Sequence, residues 1–363
     1  MVGLALYTGT ADNPSVAPSY FDEMRAPEAE RHAALAVLAA NAATLQGEAR
    51  EEFDRLPGKS GFDWGYNTFR KYPALHHADG RVFTIHPEYL LERCTFDAFE
   101  LKVRMELRRR QAAGDADANR LEGAAGDLFG RAHEAYVGES VDAQVPQLAG
   151  GAKRLWSEAE LQSVWPGRRH CDFVVDCGTS ILALEVVSKG LIEQSYAAGA
   201  IDSLERDLEA IVDKKARQLH STASCLIDHG HDLGIPQSAP ILPLIVSTAG
   251  FPWNPLIARV VHQRVTDAEL LSHARVLPLR VVTTRNLEEA EALVEAGGPS
   301  LSQLIVEAHT RGDDGFALDQ LIHAQGHRLR RPRRLDPHWV QSFRHLAELY
   351  GMDPDSLDRP PTT

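Results

Sequence analysis

The chain has 363 residues, of which 44% are hydrophobic and 25% charged, values that suit more than one buried core and exclude a wholly disordered or fibrous protein. Its formal charge is −13, from 38 Lys and Arg against 51 Asp and Glu, which excludes a general polyanion-binding surface and requires any nucleic-acid contact to be local. No apolar run reaches the length of a membrane span, the opening VGLALY lacks a basic leader, and Cys94, Cys171, Cys177 and Cys225 are too scattered for a disulfide framework. The expectation is a cytoplasmic protein with reduced thiols and no membrane partner.

In chain order, Pro27 to Leu56 carries apolar residues at helical spacing and predicts one or two helices. The PGKSG loop that follows holds Gly58-Lys59-Ser60, but Phe53 stands where a phosphate loop needs its first glycine. GRVFTIHPEYLLERC predicts a short strand and a helix starting near Pro87, and FDAFELKVRMELRRRQ another helix. The small, polar QAAGDADANRLEG reads as a linker. Three domains are expected: a mostly helical one over 1–115, a mixed one over 116–310, and a basic extension over 311–363.

Past the linker, GAAGDLFGRAHEAYVGESV puts Leu128, Ala132 and Ala135 on one stripe of a helix that carries Glu134. HCDFVVDC and SILALEVV are strand-like runs joined by Gly178-Thr179, a tight hairpin signal. IDSLERDLEAIVDKKARQL predicts a long amphipathic helix, APILPLIVST and VLPLRVVTT two more strands, and NLEEAEALVEAG a helix with Asn286 as N-cap. The order implies an α/β sheet covered by helices.

Alternation places Asp172, Val174 and Asp176 on one face of the first strand, with Cys171, Phe173, Val175 and Cys177 on the other. It also aligns Glu185, Val187 and Lys189 on the second. Pairing around Gly178-Thr179 would set Asp172 opposite Glu185, and facing carboxylates cost energy unless a cation lies between them. Mg²⁺ or Mn²⁺, which takes few carboxylates and keeps its waters, suits such a site, with Glu134 as third ligand. This is donor chemistry for phosphodiester hydrolysis.

The runs GDLFGRAHEAYV, RHCDFVVDCGTSILALEVVSKG and LEAIVDKKARQL, within residues 120 to 305, resemble the PD-(D/E)XK or restriction-endonuclease-like superfamily. The resemblance implies an αβββαβ core and Mg²⁺-dependent cleavage of nucleic acid. By position, Glu134 matches the helix glutamate, Asp172 the strand aspartate and Glu185 the first residue of Glu-x-Lys; Val187 stands in place of the lysine. Lys189 on the same strand face is the first substitute, Lys214 or Lys215 on the next helix the second, and the third alternative is a fold that has lost catalysis and serves as a binding or regulatory subunit. DNA is the expected partner, with RNA as the alternative, and a homodimer or a partner protein of a bacterial defence system is in keeping with the resemblance.

Further contacts to nucleic acid are assigned to Lys214, Lys215 and Gln218 and, in HRLRRPRR at 327–334, to Arg330 and Arg331. RMELRRRQ reads as a solvated helix face. His76-His77 and His229-Gly230-His231 lack further ligands at fixed spacing and read as loop or satisfied polar groups. Trp253, in the Pro-rich FPWNP, reads as core or interface packing, with base stacking the alternative.

Overall fold

The computed structural model describes residues 15–22, 27–55, 67–93, 96–148, 155–188, 201–248, 251–327 and 331–349. Gly58-Lys59-Ser60, Cys94, Lys189 and Arg330 lie outside these described residues. Internal contacts divide the chain into two units, Met1–Ala125 with Asp336–Thr363, and Gly126–Leu335. The expected linker is a tight turn, with Gly114 at φ 85°, between the helices Phe96–Ala112 and Ala118–Leu148. The second helix runs unbroken through the division. Residues 311–335 group with the second unit because the helix Leu318–Ala324 buries Leu318, Leu321 and Ile322 in its core.

In the first unit, the helices Glu28–Leu38 and Ala42–Arg55 accompany a small sheet of β1 (Ser15–Val16), β2 (Ala39–Ala40), β3 (Ala74–His76) and β4 (Val82–Thr84), in the order β1-β4-β3-β2. Its core joins Val16, Leu38, Ala74, Val82 and Leu90. The basic cluster near residue 108 is internally compensated: Arg104 pairs with Glu100 at 2.7 Å, Arg108 with Glu122 at 2.9 Å, Arg109 with Glu106 at 2.8 Å and Arg110 with Asp115 at 2.6 Å.

The second unit holds a five-stranded sheet, β5 (Leu155–Ser157), β6 (Phe173–Asp176), β7 (Ile181–Val187), β8 (Ile241–Ser247) and β9 (Arg280–Thr283), in that spatial order. The first two pairings are antiparallel and the last two parallel. β7 and β8 are apolar along nearly their whole length because helices cover both faces. One face, with Val174, Ile181, Ala183, Val187 and Ile245, packs against the helices Lys214–His229 and Pro255–Asp267. The other, with Phe173, Val175, Leu184 and Val186, packs against Val137 and Val141 and the helices Thr284–Glu295 and Leu301–Arg311. Pro243, which has no N–H to give, falls just before β9 joins the ladder at Leu244.

Three local expectations are corrected. Leu128 is 60% exposed and Ala132 and Ala135 are exposed, because the stripe that reaches the sheet is the one carrying Val137 and Val141. At Gly138 that helix presses on Phe173 so closely that a Cβ would come within 3.0 Å of the ring. Thr283, not Asn286, caps Thr284–Glu295: its side chain accepts the Asn286 N–H at 3.2 Å, while Asn286 returns the bond to the Thr283 N–H at 3.0 Å. Cys171 shares the apolar cluster of Val174 rather than that of Phe173, because β6 begins only at Phe173 and alternation does not extend back to it.

The β6–β7 hairpin closes with the Cys177 N–H donating to the Ser180 carbonyl at 2.9 Å and with positive φ at Gly178 only, the type II′ pattern. An added Cβ would meet nothing within 4 Å, but φ there is +83°. Gly178→Ala is therefore expected to lower stability by about 1 kcal/mol through backbone strain alone. Urea denaturation checks this; an unchanged midpoint would remove the strain argument.

Candidate functional site

Glu185 is the single charged residue of β7, and it is 0% exposed. Its neighbours by alternation, Ala183 and Val187, belong to the layer under the Lys214–His229 helix, so the carboxylate points into that layer. The register pairs Phe173 with Leu184, and one further step sets Asp172 opposite Glu185. Asp172 precedes the first residue of β6, and its Oδ2 accepts the Val186 N–H at 2.6 Å. The backbone of β7 thereby holds Asp172 beside Glu185.

The cation that meets this pair is Lys215. Its Nζ donates to Glu185 Oε1 from the first turn of the Lys214–His229 helix. Around it, Ile211 and Val212 in the turn just before that helix and Leu219 and Thr222 on the helix itself are all 0% exposed. Lys215 is thus a charge in the middle of an apolar stripe. That is the signal by which the sequence distinguishes it from Lys214, which is exposed. The other Glu185 oxygen, Oε2, is buried and has no hydrogen-bond partner among the described residues.

The electrostatics reflect this crowding. Burial raises the Glu185 carboxyl to about 8; Asp172 pushes the same way, and Lys215 opposes both. Burial likewise lifts Asp172 to about 6, against the Val186 N–H and Lys215, and with added repulsion from Glu134 and Glu158. Burial also drives the Cys171 thiol far up, so it is a packed thiol.

Glu134 is half-buried on the helix that covers the opposite face from Lys215, and its charge reaches Asp172 from there. Among the described residues no group of three or more His, Cys, Asp and Glu side chains comes close enough to hold a metal ion. The site therefore gathers two of the three acids. Val187, where the resembling family has lysine, is 7% exposed within the apolar layer.

The remaining candidates are dispersed. Gln218 is half-buried, and its backbone carbonyl accepts the Thr222 hydroxyl at 3.2 Å. Arg331 is exposed, whereas Arg334 is bound to the buried Glu291 at 3.1 Å and lies 5.1 Å from the Tyr136 ring centroid. The Arg333 N–H donates to Glu295 at 3.0 Å. This part of the arginine run is a strap fastened to the Thr284–Glu295 helix. Trp253 is 7% exposed, with its indole N–H on the Asp314 carbonyl at 3.1 Å, so its ring is packed inside. His77 and His231 pair with Asp79 at 2.8 Å and Asp232 at 3.3 Å. No described helix is long and apolar enough to cross a membrane.

Comparison with protein-family models, curated proteins and solved structures finds no match to this chain.

Because both acids bind protons more tightly folded than unfolded, stability is fully present below the unfolded carboxylate range, about pH 4, and is lost as pH rises through about 6 and about 8. Glu185→Gln removes the upper part of that loss. Denaturant melts at pH 5 and pH 8.5 should show a smaller drop for Glu185→Gln than for the wild type; equal drops would mean that Glu185 ionises freely.

Proposed function

We propose that the second unit is a metal-dependent nuclease of the PD-(D/E)XK type that hydrolyses phosphodiester bonds of DNA. Asp172 and Glu185 act as ligating acids, and Lys215 acts as the amine beside the scissile phosphate. The observation that carries this reading is the Lys215–Glu185 contact: an ammonium reaches the strand glutamate from the neighbouring helix, where Val187 offers none. The order of elements is in keeping with it. Apart from the short helix Glu158–Val164 between β5 and β6, the helix Ala118–Leu148, the antiparallel β5, β6 and β7, the helical run ending in Lys214–His229 and the parallel β8 come in the order αβββαβ.

Two facing carboxylates, one with a buried oxygen that has no partner among the described residues, fit Mg²⁺ or Mn²⁺, which keeps several waters and needs few protein ligands. Such an ion, when bound, polarises a phosphate and makes its water a stronger acid. Glu185 holds the Lys215 ammonium in place, and that ammonium would steady charge that develops on the phosphate. The Val186 N–H keeps Asp172 turned toward the same point. Exposed Lys214 and half-buried Gln218, on the same helix, are the nearest contacts for the nucleic-acid backbone. A role in bacterial defence or DNA processing is in keeping with the resemblance.

A second reading is favoured by the absence of a third gathered acid among the described residues: a nuclease fold without hydrolysis, acting as a nucleic-acid-binding or regulatory subunit. Purified wild type, Glu185→Ala, Lys215→Ala and Lys189→Ala, incubated with plasmid DNA, linear DNA and RNA plus Mg²⁺ or Mn²⁺, separate the two. The nuclease reading expects metal-dependent cleavage that falls about 10²–10³-fold in Lys215→Ala, the usual loss of one electrostatic stabiliser. It expects at least as large a loss in Glu185→Ala and little change in Lys189→Ala. Equal rates in wild type and Glu185→Ala would end it, and metal-independent retention of DNA without cleavage would establish the second.

A further inference from the structure

Lys215 stands two residues beyond an irregularity in its helix. The helices Ile201–Leu208 and Lys214–His229 are joined by a π turn, Glu209–Asp213, in which the Lys214 N–H donates to the Glu209 carbonyl. Such a turn holds one residue more than an α turn and interrupts the regular ladder. Relaxing it to an α turn would carry one end of the helix round by about 100° relative to the other. A four-carbon stem does not absorb that rotation and still deliver its ammonium to one buried oxygen.

The turn is fastened from the side. Arg264, on the Pro255–Asp267 helix, donates to Asp213 twice, from Nε at 3.0 Å and from Nη2 at 2.6 Å. Its remaining nitrogen, Nη1, donates to Glu205, in the helix before the turn. One guanidinium therefore holds both sides of the irregularity. Arg264 and Asp213 are only 23% and 22% exposed, so salt and water weaken the pair less than they weaken a surface contact. The planar fork also fixes direction as well as distance, which an ammonium in its place would not do.

We infer that Arg264 is a positioning residue for the Lys215–Glu185 contact: its hold on Asp213 and Glu205 fixes the π turn, and with it the first turn of the Lys214–His229 helix, so that the Lys215 ammonium lies on Glu185. The catalytic meaning of that amine rests on the nuclease reading above; the positioning itself does not.

The readout is the place of the Lys215 side chain, seen in crystal structures of the full chain and its variants, together with a double-variant cycle on stability. Arg264→Gln is expected to take Lys215 Nζ beyond hydrogen-bond distance of Glu185 while the β6–β7 pairing stays as it is. In urea denaturation the double variant with Lys215→Gln should lose less than the sum of the two single losses, because Arg264→Gln has already released the amine. Arg264→Lys should keep the contact in part, and Arg259→Gln, an exposed arginine of the same helix, should keep it whole. An intact Lys215–Glu185 contact in Arg264→Gln, even with a lowered melting temperature, would reduce Arg264 to a general stabiliser and overturn the proposal, as would additive losses in the double variant. If Arg264→Gln does not fold, Asp213→Asn carries the same expectation. Absence of DNA cleavage by the wild type would end the nuclease reading while the place of Lys215 still decides the positioning.

Discussion

A carboxylate with no exposed surface dominates the second unit. Taking one ion out of water costs several kcal/mol even after relaxation, and a partner repays it only when geometry is tight. Among the described residues Glu185 has one partner, Lys215, on one oxygen, and a second acid opposite it. The surroundings act on that imbalance: the β7 backbone ties down Asp172, and the helix above supplies a cation through an otherwise apolar stripe. An all-apolar interior would be cheaper to build here. On the nuclease reading proposed above, a cation at Oε2 would make the two acids compatible.

Much of the sheet was legible in the sequence because burial on both faces writes an unmistakable pattern. SILALEVV and APILPLIVST are too apolar for a surface strand, and an acid inside the first marks itself. Gly178 fixes the hairpin and hence the pairing of Asp172 with Glu185. β5 escaped notice because three residues, Leu155–Ser157, carry too little periodicity to register. The helix over the sheet was recognised, but its buried stripe was misjudged. Leu128 is large enough to suggest core, while the contact that sets the orientation is made at Gly138, where the absence of a side chain matters. No hydrophobic count reveals that.

The site was half legible for a related reason. Alternation along one strand is local, so it yields Glu185, Val187 and Lys189 as a set, with Lys189 outside the described residues. Which lysine of the next helix turns inward depends on how that helix packs. The six buried residues of that helix decide it, and the π turn changes the phase between them and the residues upstream. Glu134 shows the converse. Its place in the chain order suits a ligand, but it rides on the layer across the sheet and acts on Asp172 only through its field. The arginines near residue 108 form the helix face expected of them, each paired with an acid of its own unit, and Arg334 is likewise bound to Glu291.

The strap at Arg333 and Arg334 has a topological consequence. The second unit is an insertion, entered at Gly126 and left at Leu335, with the first unit contributing chain on either side. Arg334 reaches Tyr136 and Glu139 near the entrance while gripping Glu291, so the two ends of the inserted body are stapled to each other. With entry and exit joined this way, fraying at one end of the module must also break the contacts that hold the other.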